Sequence, residues 1–382
     1  MKHSEAVEQN LTALARGCFV GRIWRKDVGP SVVHIRKGHV IDITSRATPT
    51  MRDLCETENP AQAASNAKGE DLGGVADFLT KHDALLAPID LQAVKAAGVT
   101  FATSMLERVI EEKARGDQSL ATAIRADIST LIGDDLSKLK PGSPEAMALK
   151  AKLIERGAWS QYLEVGIGPD AEIFTKAQVM SAVGFGAEVG IHPVSSWNNP
   201  EPEAVLVVNS SGKIVGASLG NDVNLRDVEG RSALLLSKAK DNNATASLGP
   251  FIRLFDDSFS IADVNTMDIS LEVEGEDGFH LKGGSNMARI SRSPESLAAA
   301  TLNTHHQYPD GFVMYCGTVF APTQDRGEKG KGFTHHLGDL VSVANPHLGA
   351  LINTVRRTDQ CKPWAFGVSQ LMRNLAGRGL LG

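Results

Sequence analysis

The sequence predicts an α+β protein with a small N-terminal domain over residues 1–86 and a larger, β-rich domain over residues 87–382. Helical periodicity is concentrated between residues 100 and 156. After residue 163 the chain consists mainly of short apolar runs separated by turn residues, which is typical of a β-rich domain. With 382 residues, of which 42% are hydrophobic, the chain can form one large core and a smaller one.

The N-terminal part contains one clear β-hairpin. Val32–Arg36 and His39–Ile43 are the two strands, and the turn between them is Lys37–Gly38. Residues 58–74 are rich in alanine, asparagine, glycine and charged side chains, and we expect them to form a loop or linker. The boundary between the two parts is predicted near Leu85–Pro88.

A helical segment follows this boundary, and its position predicts a helical insertion in the β-rich domain. An apolar stripe at helical spacing predicts a helix over residues 100–116. Further helices are predicted over residues 120–132 and 144–156, and Ser143 is a suitable N-cap for the second of these.

The remainder of the chain predicts short strands. Ala204–Val208 and Ile214–Ala217 flank the turn residues Asn209–Gly212 and therefore predict a second hairpin. Ile269–Val273 alternates between apolar and polar residues. Two further short strands are predicted later in the chain, at Gly311–Tyr315 and Leu340–Val343.

Three carboxylates are expected to meet at one end of the second hairpin. Glu201 and Glu203 are two residues apart, so they point to the same face of an extended strand. The predicted pairing places Glu201 roughly opposite Asn221, which leaves Asp222 beside both glutamates. An all-oxygen set favours Mg²⁺, Mn²⁺ or Ca²⁺ over zinc. The alternative is a solvated strand end, and Pro202 indicates a strand start or an edge strand.

Three further polar residues are candidates for the same site. Lys240 follows Asp222 by eighteen residues and could accept a proton or bind an anion, or it could be a solvated lysine at a helix end. Arg226 could bind an anionic substrate or form a structural salt bridge. Thr318, in the segment Cys316–Thr318, could offer a hydroxyl to a carboxylate or belong to an ordinary turn.

The composition excludes several classes of partner. The formal net charge is −6, and the chain has neither a basic tract nor a basic stripe with aromatic residues, so we expect no nucleic-acid partner. The N-terminus is polar and no run of about 18 apolar residues occurs, so we expect neither a secretory signal nor a membrane partner. The four cysteines are far apart and indicate a reducing, cytoplasmic location: Cys18, Cys55, Cys316 and Cys361.

Together these residues resemble the fumarylacetoacetate hydrolase superfamily over about residues 87–355. In that family an E-x-E pair is followed by a segment like N-D-V-x-x-R-D, which is matched here by Asn221–Asp227. Lys240 precedes Gly249-Pro250 at the spacing of the family lysine. The T-G-T-P strand end of the family is matched in part by Cys316–Val319, without the proline.

The resemblance implies a fold, a metal and an assembly. The fold would be a mixed β-sandwich roll with a helical lid, and the protein would form a homodimer or homotetramer. The metal would be Mg²⁺, with Mn²⁺ as the alternative, and it would bind the carboxylate and 2-oxo oxygens of a keto acid. Its ligands would be Glu201, Glu203 and Asp222.

One departure from the family pattern bears on the reaction. Hydrolases of the family carry a lid motif like G-x-x-Y-x-x-H-x-x-E, in which the histidine activates water. Here the register gives Gly98, Phe101, Ser104 and Glu107, so a serine replaces the histidine. A serine hydroxyl barely ionises near neutral pH and does not replace imidazole as a base.

The expected reaction is therefore a dehydration. Two stretches, Ser160–Pro169 and Trp197–Glu203, resemble the branch of the superfamily that dehydrates 2-keto-3-deoxy-pentonates to 2-oxoglutarate semialdehyde in oxidative pentose catabolism. Two alternatives remain: hydrolysis of a C–C bond in a 2,4-dioxo acid such as an acylpyruvate, and a non-catalytic metal-binding oligomer.

The resemblance also implies roles for single residues. Lys240 would take the C3 proton or stabilise the enolate, Glu107 would be the acid for the leaving hydroxyl, and Ser104 would orient it. Lys240 and Glu107 could exchange roles. The substrate, a small 2-keto-3-deoxy sugar acid, would be held by Arg226, Thr318 and Phe101.

Overall fold

The structure is a computed structural model, and it describes residues 1–81, 84–121, 124, 139–157, 159–328 and 331–381. The helix predicted over residues 120–132 lies outside the described residues, apart from positions 120, 121 and 124. In the described part of the chain, no helix is long and apolar enough to span a membrane.

The described strands are short and follow one another along most of the chain. In chain order they are β1 (Cys18–Arg25), β2 (Gly29–Arg36), β3 (His39–Asp42), β4 (Glu70–Gly74), β5 (Leu85–Leu86), β6 (Ala93–Gly98), β7 (Glu172–Ala177), β8 (Glu188–Ile191), β9 (Asn198–Asn199), β10 (Pro202–Val208), β11 (Ile214–Asp222), β12 (Asn224–Leu225), β13 (Ala246–Leu254), β14 (Asp268–Glu274), β15 (His280–Asn286), β16 (Phe312–Tyr315), β17 (Leu340–Asn345) and β18 (Gly349–Arg357).

The described α-helices lie between these strands and at both ends of the chain. They are α1 (His3–Leu14), α2 (Met51–Cys55), α3 (Pro60–Asn66), α4 (Val75–Leu79), α5 (Ala102–Lys113), α6 (Pro144–Glu155), α7 (Gln161–Ile167), α8 (Arg226–Glu229), α9 (Leu236–Lys240), α10 (Ile261–Val264), α11 (Pro294–Thr301) and α12 (Val368–Gly377).

The strands form a mixed architecture of two larger sheets and a two-stranded sheet. The largest sheet has the order β4-β3-β2-β1-β13-β11-β10-β16-β6-β7, and β5 pairs with β1. The second sheet has the order β15-β14-β17-β18-β8. β13 packs against β18 and β10 against β14, so the two sheets share one apolar core that includes Leu219, Phe251, Leu271 and Val343.

The N-terminal strands continue the largest sheet. The predicted hairpin is confirmed as the antiparallel pair β2–β3. β1 pairs with β13, so strands from residues 1–86 and from residues 87–382 lie side by side. The division of the chain near residue 86 stays a prediction.

The prediction of a loop over residues 58–74 is wrong. These residues form α3 and β4, and the alanine-rich sequence is helical because it is capped. The side chain of Asn59 accepts a hydrogen bond from the amide of Gln62 at 3.0 Å, and Pro60 occupies the first turn. β4 then pairs with β3.

The helices predicted over residues 100–116 and 144–156 are confirmed as α5 and α6. The Ser143 hydroxyl accepts from the amide of Ala146 at 3.2 Å, as expected for the N-cap of α6. Met105 of α5, Leu153 of α6 and Leu163 of α7 are buried in one apolar cluster. This cluster forms a helical wall beside the large sheet, whereas its role as a lid stays a prediction.

The second predicted hairpin is confirmed as β10–β11, at the centre of the large sheet. The side chain of Asn209 accepts hydrogen bonds from the amides of Ser211 and Lys213 at 3.1 and 2.9 Å, which stabilises the turn. Gly212 has φ +85°, which favours glycine. Pro202 is the first residue of β10, so it removes no donor from the middle of the ladder.

Candidate active site

The three candidate metal ligands lie at the end of the β10–β11 hairpin that is opposite to its turn. Glu201 directly precedes β10, Glu203 is its second residue, and Asp222 is the last residue of β11. Pro202 pairs with Asn221, and the amide of Asp222 donates to the carbonyl of Glu201 at 2.9 Å. Glu201 is therefore opposite Asp222, one residue from the predicted register, because the pairing shifts at a bulge near Val208.

These carboxylates are buried and close together. Glu201, Glu203 and Asp222 are at most 3% exposed, and one carboxylate oxygen from each lies within 4.8 Å of the others. Oε2 of Glu203 accepts a hydrogen bond from the amide of Gly317 at 2.7 Å. Among the described residues, Glu203 has no ion-pair partner, whereas Glu201 and Asp222 are paired with cations.

Lys240 lies beside two of the carboxylates. Its Nζ contacts Oε2 of Glu201 and lies 3.2 Å from Oδ2 of Asp222. Burial alone would lower the pKa of Lys240, but Asp222, Glu201 and Glu229 outweigh burial, and the pKa lies above its usual range. The sequence predicts that Lys240 lies at the end of a helix. In the structure Lys240 is the last residue of α9, and this end of the helix lies beside the carboxylates.

Two cations at the site were not identified from the sequence. Nζ of Lys176 lies 2.7 Å from Oδ1 of Asp222, and Nη2 of Arg108 contacts Oε1 of Glu201. The sequence contains a signal for each of them. Lys176 follows Glu172 by four residues on β7, although a bulge at residues 175–177 interrupts the alternation of that strand. Arg108 lies one helical turn after Ser104 on α5.

Arg108 joins the carboxylates to two helices, its own helix α5 and α8. Its Nη1 lies 2.7 Å from Oε2 of Glu111 on the same helix and 2.7 Å from Oε2 of Glu229 on α8. Burial alone would lower the pKa of Arg108, but Glu111, Glu229 and Glu201 raise it well above its usual range. One guanidinium therefore contacts three carboxylates, and its charge is shared among them. The phenol of Tyr162, on α7, donates to the backbone carbonyl of Glu229 at 3.4 Å.

The charged network around the cavity, which is buried except for the partly exposed Glu107 and Glu172, holds more carboxyl groups than cations. Its four cations are Lys176, Lys240, Arg108 and Arg226; its seven carboxyls are Glu107, Glu111, Glu172, Glu201, Glu203, Asp222 and Glu229. Burial raises the pKa of Glu229 to about 7 and raises the pKa of Glu172 and of Glu203, the last also through repulsion by Asp222 and Glu201. In contrast, Lys176 and Lys240 outweigh burial at Asp222 and lower its pKa.

Arg226 and Glu107 form an ion pair with each other. Neither residue lines the cavity that lies between the carboxylates and the helices. Nη2 of Arg226 lies 2.9 Å from Oε2 of Glu107, and its Nε lies 2.7 Å from Oε1 of Glu111. The guanidinium also stacks over the ring of Trp197, with its carbon 4.5 Å from the ring centroid. Of the two interpretations of Arg226, the structure shows the structural salt bridge. The role of Glu107 in catalysis and the role of Arg226 in substrate binding stay predictions.

The remaining predicted residues divide between the cavity and the core. Ser104 and Thr318 line the cavity, and their hydroxyls donate to the carbonyls of Phe101 at 2.8 Å and Phe320 at 3.0 Å. The side chain of Phe101 is buried in the apolar core rather than on the cavity wall. Its predicted role as a substrate contact is not supported by this position.

The cavity is small and strongly polar. The free space between its walls is about 10 Å³, roughly the volume that one water molecule needs. Of the described residues, no histidine lines it. The lining residues are Ala97, Gly98, Val99, Ser104, Arg108, Glu172, Phe174, Glu201, Glu203, Asp222, Glu229, Lys240 and Thr318.

The donor set fits a hard divalent cation such as Mg²⁺. The three carboxylates supply only oxygen ligands, and a divalent cation among them would offset the excess of carboxyl groups in the network. Burial and repulsion by Asp222 and Glu201 raise the pKa of Glu203, which has no ion-pair partner in the described chain. A cation bound beside Glu203 would stabilise its ionised form. Glu201, Glu203 and Asp222 are therefore the residues that would hold Mg²⁺.

Sequence comparisons identify relatives of this chain. Residues 166–356 match the family described as fumarylacetoacetate (FAA) hydrolase C-terminal. A 2-dehydro-3-deoxy-D-arabinonate dehydratase of Saccharolobus solfataricus is 30% identical over 186 residues, which span 49% of this chain and 59% of that protein. A probable 2-keto-3-deoxyxylonate dehydratase of Haloferax volcanii is 25% identical over 327 residues, which span 84% of this chain and 93% of that protein.

Solved structures share the fold. The apo form of a 2-keto-3-deoxy-D-arabinonate dehydratase has a TM-score of 0.62 and 21% identity, over 89% of this chain and 99% of that chain. The same enzyme complexed with magnesium and 2,5-dioxopentanoate has a TM-score of 0.59 at the same identity and coverage. The family match covers half of the chain and includes the three carboxylates, Lys240 and Thr318. The chain belongs to the fumarylacetoacetate hydrolase family.

Proposed function

We propose that this protein dehydrates a 2-keto-3-deoxy-pentonate to 2-oxoglutarate semialdehyde with Mg²⁺ as its cofactor. The observation that carries the proposal is one cavity that combines three buried carboxylates with Lys240 and contains Ser104 where the family's hydrolases carry a histidine. The names of the two curated relatives, both dehydratases of 2-keto-3-deoxy sugar acids, support it.

The metal and the substrate would share the carboxylate wall. Mg²⁺ held by Glu201, Glu203 and Asp222 would polarise the 2-oxo group, acidify C3 and lower the pKa of the neighbouring Lys240. The substrate is an anion, and Arg108 would provide positive charge beside it. The hydroxyl of Thr318 would donate to it in place of its present hydrogen bond to the carbonyl of Phe320. Arg226 would not contact the substrate in this arrangement, because its guanidinium is paired with Glu107 and Glu111 and holds them in place.

Lys240 is the candidate for handling the C3 proton. It lines the cavity next to Glu201 and Asp222, so a substrate bound at the carboxylates presents C3 to the same wall. As an amine Lys240 accepts the C3 proton, and as the resulting ammonium it balances the charge of the enolate. Loss of the C4 hydroxyl then gives an enone, and tautomerisation through C5 gives the aldehyde.

Hydrolysis of a 2,4-dioxo acid is the weaker candidate. It needs a base that activates water, and in the family this base is the lid histidine. Ser104 occupies that position and donates its hydroxyl hydrogen to the carbonyl of Phe101. Since a hydroxyl in this arrangement does not accept a proton near neutral pH, the site favours elimination over hydrolysis.

A product assay tests the proposal. Purified protein with Mg²⁺ and 2-keto-3-deoxy-xylonate or 2-keto-3-deoxy-arabinonate is expected to release a semialdehyde, which an NAD(P)-dependent dehydrogenase oxidises to 2-oxoglutarate. Formation of pyruvate and glycolaldehyde would identify an aldolase and overturn the proposal. Faster turnover of an acylpyruvate than of either sugar acid would favour the hydrolase.

A further inference from the structure

A polar groove lies outside the candidate active site, next to the segments that carry two of its lysines. Gln178 follows Lys176 by two residues, and Asp241 directly follows Lys240. The groove has a volume of about 470 Å³, which is within the range of about 300–1,000 Å³ that is typical of small-molecule sites. None of the described residues that line it also lines the cavity between the carboxylates. The lining residues are Gln178, Ser181, Asp241, Asn242, Asn243, Thr358, Asp359, Cys361, Pro363 and Trp364.

The polar side chains of this groove are held in place by the fold. Nε2 of Gln178 donates to Oδ2 of Asp241 at 2.8 Å, which links the residues after β7 to the end of α9. Nδ2 of Asn243 donates to the backbone carbonyls of Thr358 at 3.0 Å and Lys362 at 3.4 Å. None of these contacts uses Oδ1 of Asp241 or Oδ1 of Asn243, so both oxygens can accept a hydrogen bond from a ligand. Side chains that are already ordered lose less conformational entropy when a ligand binds.

The groove also has an apolar surface. Trp364 is 46% exposed, and its indole Nε1 donates to the carbonyl of Phe366 at 3.2 Å, so the ring is oriented and offers its face rather than its N–H group. Cys361 is buried, and burial raises the pKa of its thiol to about 11, so it acts as a small apolar group. The amide and hydroxyl groups around this surface belong to Gln178, Ser181, Asn242, Asn243 and Thr358.

The charges of the groove favour a neutral ligand. Of the described residues that line it, none is lysine, arginine or histidine, so an anion would meet Asp241 without a cation to bind it. The second aspartate, Asp359, is already paired with Arg357 through contacts of 2.9 and 2.6 Å. An organic cation is typically enclosed by several aromatic faces, whereas Trp364 is the one aromatic side chain among the described residues of the groove.

We propose that this groove is a binding site for a neutral polyhydroxylated molecule of the size of a monosaccharide. One face of a sugar ring is a layer of C–H groups, which would pack on the indole face of Trp364. Hydroxyls at the edge of the sugar would donate to Oδ1 of Asp241 and Oδ1 of Asn243, and the hydroxyl of Thr358 would donate in return. Sugar binding in the groove is independent of the proposed dehydration, because the groove and the cavity share no described residue.

The tryptophans of the chain provide a direct test on the wild-type sequence. The chain has four, so protein labelled with 5-fluorotryptophan gives four ¹⁹F NMR signals, which single Trp→Phe variants assign. The protein is titrated with D-xylose, D-arabinose and D-glucose up to about 100 mM each. We expect the signal of Trp364 to shift and to saturate for at least one sugar, with a Kd of about 1–10 mM for so small a ligand.

The other signals show where a sugar binds. Trp197 stacks on Arg226 beside the candidate active site, so its signal reports on that region. We expect it to stay in place while the signal of Trp364 moves. If no sugar produces a saturating shift at Trp364, the groove is not a sugar site. A larger shift at Trp197 than at Trp364 would place the sugar elsewhere and would equally overturn the proposal.

A pair of variants tests the aromatic contact. Trp364→Ala removes the ring, and we expect the Kd of the best sugar to rise about tenfold in saturation-transfer NMR. Trp364→Phe keeps an aromatic face and should bind within about threefold of the wild-type protein. Trp24→Ala is the matched control, because Trp24 is 44% exposed and does not line the groove. Equal weakening by Trp364→Ala and Trp24→Ala would show that the indole of Trp364 makes no specific contact.

Two further ligands test the predicted neutrality of the ligand. D-glucuronate has the ring of D-glucose with a carboxylate added, and tetramethylammonium is a compact organic cation. Because Asp241 repels the carboxylate and a single ring does not enclose the cation, we expect both to bind at Trp364 more weakly than D-glucose. Tighter binding of D-glucuronate or of tetramethylammonium than of every neutral sugar would overturn the assignment of the ligand class.

Discussion

The two walls of the cavity are built in different ways. On the sheet side, Glu203 and Asp222 are held by the backbone pairing of the β10–β11 hairpin, and Glu201 by the hydrogen bond between its carbonyl and the amide of Asp222. On the helical side, Arg108 and Glu229 come from separate helices and are held by ion pairs between side chains. A metal needs ligands at fixed separations, which a strand pair supplies, whereas proton transfer depends on pKa values that neighbouring charges adjust.

The largest expected effect concerns the sheet side. Asp222→Ala removes one of three candidate ligands and leaves Lys176 and Lys240 with less negative charge nearby. Mg²⁺ binding, measured by isothermal titration calorimetry, is expected to be lost. Turnover should fall by more than the roughly 10- to 100-fold that is typical for removal of a partner of a metal ligand. Full activity in this variant would exclude the metal assignment.

The next effect concerns stability and the cation that pairs with Asp222. Lys176→Met leaves part of the Asp222 charge uncompensated in a buried position, so we expect a loss of about 3–5 kcal/mol in the free energy of unfolding. Saturating Mg²⁺ should recover more stability in this variant than in the wild-type protein, because the ion replaces a lost positive charge.

Lys95→Met is the matched control for Lys176→Met. Lys95 lies on the adjacent strand β6 and donates to the Thr175 hydroxyl at 3.0 Å in a solvent-exposed contact. Its loss is expected to change stability by no more than about 0.5 kcal/mol. Equal destabilisation by the two variants in urea titrations would show that the pair of Lys176 with Asp222 has no special importance.

The helical wall predicts a pH dependence of stability in the presence of a chelator. Glu229 has a pKa of about 7 in the folded protein and about 4.5 when exposed, so between these values only the folded state holds its proton. Its contribution to stability therefore falls as the pH rises from about 4.5 to about 7, by about 3 kcal/mol in total. Glu229→Gln removes this contribution.

The comparison between wild type and variant isolates Glu229 from other titrating groups. His34 and His335 have lowered pKa values, mainly because of burial, and their contributions to stability rise with pH over part of the same range. The difference between the two proteins in urea unfolding should nevertheless favour Glu229→Gln progressively from pH 4.5 to 7. A difference that is constant with pH would show that Glu229 is already ionised at pH 4.5.

The smallest expected effect is at the position where the family's hydrolases carry histidine. Ser104→Ala removes one buried hydroxyl whose hydrogen bond is to its own helix, so stability should fall by about 1 kcal/mol. The kcat for dehydration is expected to fall by at most about tenfold, the equivalent of one hydrogen bond in the transition state. A loss of several hundredfold would mean that Ser104 takes part in proton transfer.

The contrast between the walls also explains what the sequence could predict. The hairpin and its carboxylates follow from local patterns, because strand alternation and a turn at Asn209–Gly212 define which side chains meet. Arg108 and Glu201 are 93 residues apart, and Lys176 and Asp222 are 46 residues apart. Such contacts depend on how helices and strands pack, and no local period indicates them.

Composition alone gave a wrong prediction for residues 58–74, where capping and packing determine the secondary structure. Residues 58–74 contain alanine, asparagine and glycine in proportions typical of a loop, yet α3 forms because Asn59 caps it and Ala61 and Ala64 pack against the large sheet. Arg226 shows the same limit at the site. Its family motif is intact, but only the structure shows that its guanidinium is occupied by Glu107, Glu111 and the ring of Trp197.

The proposed dehydration is tested most directly by following every carbon of one substrate. Wild-type protein with Mg²⁺ and uniformly ¹³C-labelled 2-keto-3-deoxy-xylonate is monitored by NMR. We expect all five carbons to appear in one product, with the C4 carbinol converted to a methylene and C5 to an aldehyde or its hydrate. Separate three-carbon and two-carbon products, or unchanged substrate in the presence of bound Mg²⁺, would contradict it.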